Sequence, residues 1–212
     1  MVKIATWKVN YVNARLPLLL KWLELFSPDI MLLQDLKCTI DKFPSTQIED
    51  KGYNIAVNGQ KSYNGVAIIS KSPIDIELTT LPGDNSDEQA RYIEAFTCNL
   101  TVASIYLPNG NPIDSDKYPY KISFMERLHD RVAKLLLTGD PFVLGGDYNV
   151  IPDVRDCSDP KNWQDDALFR FETLIAWRKI MFLGVTDAFR AIFEEGGHYS
   201  FWDYQGGSWN RD

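Results

Sequence analysis

The sequence predicts an α/β fold carrying two β-sheets, on three observations. Strand and helix patterns alternate from the first residues, one short run is apolar throughout, and three β-rich stretches follow one another between turn residues. Taken in order, "VKIATW" reads as a first strand. "LPLLLKWLELFSP" has the apolar spacing of an amphipathic helix and is stopped by Pro28. "DIMLLQD" then reads as a strand buried on both faces, so the chain opens with a βαβ unit. "NGVAIISK", "YIEAFTC" and "TVASIYL" are rich in β-branched and aromatic residues and bounded by Gly, Asn and Pro. They read as strands in hairpin-like succession, which calls for a second sheet. "YKISFMERLHDRVAKLLL" returns to helical spacing, and "PFVLGGDYNV" is a strand that stops at two glycines and a polar cluster. "FRFETLIAWRKIMFLG" is one more helix, ended by Gly184. No internal repeat, low-complexity tract or linker interrupts the pattern, so residues 1–212 read as a single domain.

Composition narrows the class. The 212 residues are 45% hydrophobic and 24% charged, enough for a full core in an ordinary globular protein. No stretch of about 18 uninterrupted apolar residues occurs, which argues against a membrane span. "MVKIATWKVN" has neither the basic start nor the long apolar middle of a secretory signal, so the expected location is the cytoplasm. Cys38, Cys98 and Cys157 are widely spaced and form no CxxC pair, which suggests neither a disulfide framework nor a zinc site. A net charge of -7 argues against non-specific adhesion to nucleic acid, although a local basic cleft can coexist with an acidic whole.

Four polar clusters fall at predicted strand ends: Lys8 with Asn10, Gln34-Asp35 with Lys37, Tyr106 with Asn109, and Asp147 with Asn149. Strand ends are where α/β sheets present side chains to ligands. Each cluster also has a plainer reading. Asp35 fits a turn residue or a helix cap, "GDYN" fits an Asx turn, and Tyr106 fits a core aromatic before a Pro-Asn-Gly turn. Trp202 in "YSFWDY" fits a strand of alternating aromatics.

Read together, "WKVN", "LLLQDLK", "NGVAIISK", "EQARYIEA", "SIYLPNG", "LGGDYNV", "TDAFR" and "HYSFWDY" resemble the exonuclease III family in order and spacing. That family is the abasic-site endonuclease branch of the endonuclease/exonuclease/phosphatase superfamily. The resemblance runs along the whole chain. It implies a four-layered α/β sandwich of the deoxyribonuclease I-like kind, two packed mixed sheets flanked by helices. It also implies Mg²⁺- or Mn²⁺-dependent hydrolysis of phosphodiesters in double-stranded DNA, at abasic sites and 3′ ends. A phosphodiester is an anion attacked by water, so such a site needs a cation, a base for the water and donors for the developing charge. By motif, Asp147 takes the place of the residue that activates the water, Asn149 of a donor to the phosphate oxygens, and Tyr106 of a phosphate contact. Asp35 takes the place of the main metal carboxylate and Asn10 of a second residue near the metal. Lys37 and Asn109 support the substrate cleft, and Trp202 matches an aromatic near the abasic sugar.

The departures from the family carry their own expectations. Asp35 stands where the family has glutamate and reaches about one methylene less far, so metal binding should weaken. Lys8 stands where the family has asparagine; it either pairs with Asp35 and competes with a divalent ion, or snorkels outward. Asn13 replaces an arginine expected to face DNA, at the loss of roughly one phosphate contact. After "FWDYQGGSWNRD" the family continues with an Arg-Ile-Asp-type strand and a Ser-Asp-His motif, which include the catalytic histidine. His129 and His198 match neither position. On this reading the domain is C-terminally incomplete relative to the family, and an exposed sheet edge calls for cover, for instance by self-association. The implied function is an exodeoxyribonuclease III-like DNA repair nuclease, weak or inactive as it stands. The alternative is a catalytically silent member that binds nucleic acid or protein. Activity on lipids or small phosphoesters is disfavoured, because the match is to the DNA-repair branch.

Overall fold

The expected βαβ opening forms from β1 (Ile4–Lys8), α1 (Val12–Phe26) and β2 (Ile30–Gln34), with β1 and β2 parallel and Lys8 level with Gln34. The computed structural model describes residues 1–200. They divide into a unit of Met1–Pro108 with Ser123–Asn149, and a unit of Asn109–Ile122 with the residues from Val150 onward. The helix starts a turn earlier than its apolar pattern suggested, leaving Pro17 inside it. That extra turn is held from outside, by Tyr11 N–H donating to the Asp35 carbonyl at 2.8 Å and Val12 N–H to the Leu36 carbonyl at 3.1 Å.

The first sheet is completed by β3 (Asn54–Asn58) and β4 (Val66–Ser70), in the order β1-β2-β4-β3, the short helix α2 (Ser45–Glu49) preceding β3. The second contains β5 (Asp75–Leu78), β6 (Tyr92–Thr97), β7 (Leu100–Tyr106) and β8 (Phe142–Asp147), in that order. Here β5, β6 and β7 are antiparallel neighbours, while β7 and β8 run parallel with Tyr106 level with Asp147. Both sheets are therefore mixed.

Alternation along the strands explains how the sheets pack. In β2, Met31 and Leu33 join Leu19 and Leu23 of α1 in one core cluster, whereas Ile30 and Leu32 join Ile93, Ala95 and Val102 of the second sheet in another. A strand apolar on both faces is thus sandwiched between a helix and a sheet. On the far side, helix α3 (Lys117–Thr138) reaches β6 through Arg131, whose Nε donates to Glu94 Oε2 at 2.9 Å. Hydrogen bonds tie the sheets across the apolar layer: Gln34 Nε2 donates to Ser104 Oγ at 3.0 Å, Ser104 Oγ to the Leu33 carbonyl at 2.9 Å and Asn58 Nδ2 to the Tyr92 carbonyl at 3.2 Å, and Ser70 Oγ lies 2.8 Å from Thr97 Oγ1.

In the second unit, α4 (Phe171–Met181) is the predicted last helix. Tyr118 Oη lies 3.0 Å from Thr173 Oγ1, and Asn111 Nδ2 donates to Asp166 Oδ2 at 3.0 Å. Among the described residues, no helix is long and apolar enough to cross a membrane.

Candidate active site

The same alternation that builds the inter-sheet core also builds the site. Ile4 packs into that core and Thr6 Oγ1 bonds the Gln34 amide, so Lys8, two residues further along β1, ends the same inward face. In β8, a Cβ on Gly145 would lie 2.6 Å from Leu32 Cδ1, so this strand presents Gly145, and then Asp147, to the first sheet. Tyr106 ends the inward face of β7. Lys8, Gln34, Tyr106 and Asp147 are therefore the last inward residues of four strands, and the site is the polar mouth of an apolar layer.

The loops that leave these strands are tightly folded. Asn10 (φ 45°), Asp35 (φ 60°), Lys37 (φ 55°) and Asn149 (φ 46°) all adopt left-handed backbone conformations. That region is uncommon outside glycine and is tolerated best by Asn and Asp, so such a concentration marks a rim whose shape is imposed by its surroundings. Main-chain bonds supply the constraint: Leu36 N–H donates to the Gly65 carbonyl at 3.2 Å and Lys37 N–H to the Asn64 carbonyl at 2.9 Å.

Two ion pairs organise the charges. Lys8 Nζ lies 2.7 Å from Asp147 Oδ2, and Lys37 Nζ lies 3.4 Å from Asp35 Oδ2 while donating to Asn10 Oδ1 at 2.6 Å. The pairing expected between Lys8 and Asp35 thus falls elsewhere. Lys8 shares the inward face with Asp147 and makes its ion pair there, and Asp35 is served by Lys37 from its own loop. Asp147 Oδ2 is sealed from solvent and, among the described residues, has no partner of good hydrogen-bond geometry, so the Lys8 contact is a charge pair rather than an aligned bond. Asp147 Oδ1 accepts the Asn149 N–H at 3.0 Å, the Asx turn that "GDYN" suggested. The Asn149 amide donates to the Leu107 carbonyl at 2.8 Å.

Burial pulls the Lys8 ammonium toward neutrality, but the charge of Asp147, then Tyr106, then the closeness of the Asp147 oxygen and the charge of Asp35 outweigh it, and its pKa stands above the usual lysine value. Burial raises the Asp35 carboxyl above its usual range, against the opposing charges of Lys37 and Lys8. Burial likewise raises the Tyr106 phenol, with Lys8 opposing, so the hydroxyl keeps its proton at neutral pH.

Seven residues singled out in the sequence therefore meet in the first unit: Lys8, Asn10, Asp35, Lys37, Tyr106, Asp147 and Asn149. Asn109 belongs to the second unit, where its carbonyl accepts from the buried Lys121 ammonium at 3.0 Å and its side chain accepts the Asn111 N–H at 3.1 Å. Trp202 lies outside the described residues. Asn13 is exposed and donates to the Lys42 carbonyl at 3.2 Å. One participant went unremarked: Arg91, whose guanidinium carbon lies 5.1 Å from the centre of the Tyr106 ring and whose Nη1 donates to the Tyr106 carbonyl at 3.2 Å. The signal was the arginine preceding the strand in "EQARYIEA", which the β6–β7 register puts opposite Tyr106.

As arranged, these residues do not fit a divalent cation. Mg²⁺ needs a near-octahedral set of oxygens at roughly 2.0–2.1 Å. The oxygens of Asp35, Asn10 and Asp147 each face an ammonium nitrogen instead. Among the described residues, no three His, Cys, Asp or Glu side chains gather as a metal site.

Two mixed sheets packed face to face and flanked by helices, with a polar site at their strand ends, define a deoxyribonuclease I-like α/β sandwich. The chain belongs to the endonuclease/exonuclease/phosphatase family, which it matches over residues 5–212, and within it to the exonuclease III group. It is 28% identical to exodeoxyribonuclease III of Haemophilus influenzae over 96% of this chain and 81% of that one. It is similar to the structure of an AP endonuclease from Archaeoglobus fulgidus, with 34% identity and a TM-score of 0.93 over all of this chain and 82% of that one. A 3′ phosphatase from Neisseria bound to product DNA hairpin matches with 36% identity and a TM-score of 0.94, over 100% of this chain and 82% of that one. The family is generally metal-dependent, which sharpens the significance of the two ammonium groups.

Proposed function

We propose that the protein is a cytoplasmic DNA repair nuclease of the exodeoxyribonuclease III kind that acts feebly on abasic sites and 3′ ends of double-stranded DNA. The observation that carries this reading is the convergence of Tyr106, Asp147, Asn149 and Asp35 on one mouth, in the motifs where the family keeps its phosphodiester chemistry. In this reading Tyr106 donates to the phosphate, Asn149 supports the phosphate oxygens, and Asp147 orients and deprotonates the attacking water. Feebleness follows from Lys8. A water approaching Asp147 Oδ2 must share or displace an ammonium 2.7 Å away. The Mg²⁺ or Mn²⁺ that the resemblance implies finds the Asp35 carboxylate already paired with Lys37.

The Lys8–Asp147 pair also favours a second reading, a catalytically silent member that binds DNA. Incubation with an abasic-site duplex and Mg²⁺ separates the two. The nuclease reading expects slow product that falls by at least about a hundredfold in Asp147→Asn. The silent reading expects binding with no product. Turnover on the order of 1–10³ s⁻¹, the ordinary range for enzymes, would refute both.

A further inference from the structure

We propose that Asn64 is a positioning residue for this site: with Gln60 and Gln89 it forms a clasp of neutral amides that makes the Tyr106 side and the Asp35–Lys37 side of the mouth move as one body. The proposal rests on the reading of the mouth as the reacting site and goes beyond it by naming what sets its shape.

Three sets of bonds carry it. The first is made by side chains. The amide of the buried Asn64, in the loop between β3 and β4, donates to Gln60 Oε1 at 2.9 Å and to Gln89 Oε1 at 3.3 Å. The same two oxygens accept from the loop before β6: Gln60 Oε1 takes the Ala90 N–H at 3.1 Å, and Gln89 Oε1 takes Arg91 Nε at 2.8 Å. Arg91 in turn donates to the Tyr106 carbonyl at 3.2 Å, and its own carbonyl accepts the Tyr106 N–H at 2.8 Å.

The second set is main chain. The Asn64 carbonyl accepts the Lys37 N–H at 2.9 Å, the Gly65 carbonyl accepts the Leu36 N–H at 3.2 Å, and the Gly65 N–H donates to the Ala90 carbonyl at 2.8 Å. Asn64 holds φ 54° here, a left-handed conformation that asparagine tolerates. Asn64 and Gly65 are thus wedged between the loop after β2 and the loop before β6.

The third set is the footing. Asp87 Oδ1 accepts the Gln89 N–H at 3.1 Å, and Asp87 Oδ2 accepts from Arg127 Nη2 of α3 at 2.6 Å, with both of these side chains buried. Gln89 is therefore tied to a long helix at one end and to the mouth at the other. An amide whose partners are all held elsewhere has one arrangement to return to, so loosening one loop loosens the others.

The test compares wild type with three variants of the full chain. Asn64→Gly keeps the left-handed turn without the amide, Asn64→Asp keeps the shape without the donor, and Gln89→Glu keeps both acceptor bonds. Amide hydrogen exchange, followed residue by residue by NMR, reads the coupling. Both Asn64 variants should speed exchange about tenfold at Lys37, Ala90 and Tyr106, and leave residues 30–33 of β2 and 101–104 of β7 unchanged. Gln89→Glu should exchange as wild type does, because a carboxylate accepts from Arg91 and Asn64 at least as well as an amide oxygen. On an abasic-site duplex with Mg²⁺, the Asn64 variants should lower kcat about tenfold with KM unchanged, the mark of disturbed geometry rather than of a lost substrate contact.

Faster exchange confined to residues 60–65 overturns the proposal, since the two sides of the mouth would then be independent. Exchange in Gln89→Glu as fast as in Asn64→Gly overturns the role of the shared oxygens. A rise in KM with kcat unchanged overturns positioning. A wild type that yields no product at all removes the nuclease reading, and the exchange comparison still decides whether Asn64 holds the mouth together.

Discussion

Cys38 lies one residue beyond Lys37, and its thiol is only 4% exposed. Burial, with the charge of Asp41 adding to it, pushes the thiol from an ordinary value near 9 up to about 11. Two pKa steps mean about a hundredfold less thiolate at a given pH, and thiolate is the reactive form. Iodoacetamide at pH 8 should therefore modify Cys38 at least about a hundredfold more slowly in the native protein than in urea, as read by peptide mass spectrometry. Comparable rates would mean that the loop after β2 opens freely. At this scale the site was legible as residue types but not as partners. Lys8 and Asp147 are 139 positions apart in sequence, and the sequence alone suggested Asp35 as the nearer carboxylate. Which carboxylate a lysine meets depends on the face its strand presents to the opposite sheet, which becomes known only with the register. Arg91 was obscured for the same reason, because only the pairing of β6 with β7 brings it opposite Tyr106.

β8 is the element in which the backbone carries most of the constraint. A Cβ on Gly146, whose φ is +153°, would stand 2.0 Å from the Ile105 carbonyl oxygen, inside the β7–β8 pairing itself. Gly146→Ala should cost about 3 kcal/mol or more, because the ladder must open or the backbone must change region. Gly145→Ala meets the end of Leu32, a flexible side chain, and should cost about 1–3 kcal/mol as ordinary overpacking. Urea titration of both variants tests the order, and an equal effect would contradict it. Both glycines were visible as the stop of a predicted strand, and most long elements were legible too. β2, β4, β6, β7 and β8 are rich in β-formers, and three long helices carry helical spacing. β5 was missed because "DIEL" is short and mostly exposed. β3 was missed because asparagine stands at both its ends and only Ala56 is fully buried. Edge strands carry weak hydrophobic patterns, having less to bury.

Across the first unit, polar contacts join the layers, and the one between α3 and the second sheet is an ion pair with a fully buried carboxylate. Glu94 is fully buried, accepts from Tyr92 Oη at 2.5 Å, and is gripped by both Arg131 Nε and Nη2. Arg131→Gln would leave the carboxylate buried without its cation and should cost about 3–5 kcal/mol. The double variant with Glu94→Gln should recover part of that loss, and strict additivity in urea denaturation would show that the pair is not coupled. The Gln34–Ser104 and Ser70–Thr97 bonds play a different part, because apolar packing is non-directional and by itself tolerates a slide of one sheet over the other. Gln34 lies beside Lys8 in register, and Ser104 lies two residues before Tyr106. The alignment of the four strand ends is thus decided beneath the mouth, by side chains with no part in its charges. Frame and chemistry are separable in such a design: residues at the rim such as Lys8 and Asp35 can be exchanged without touching the bonds that set the opening.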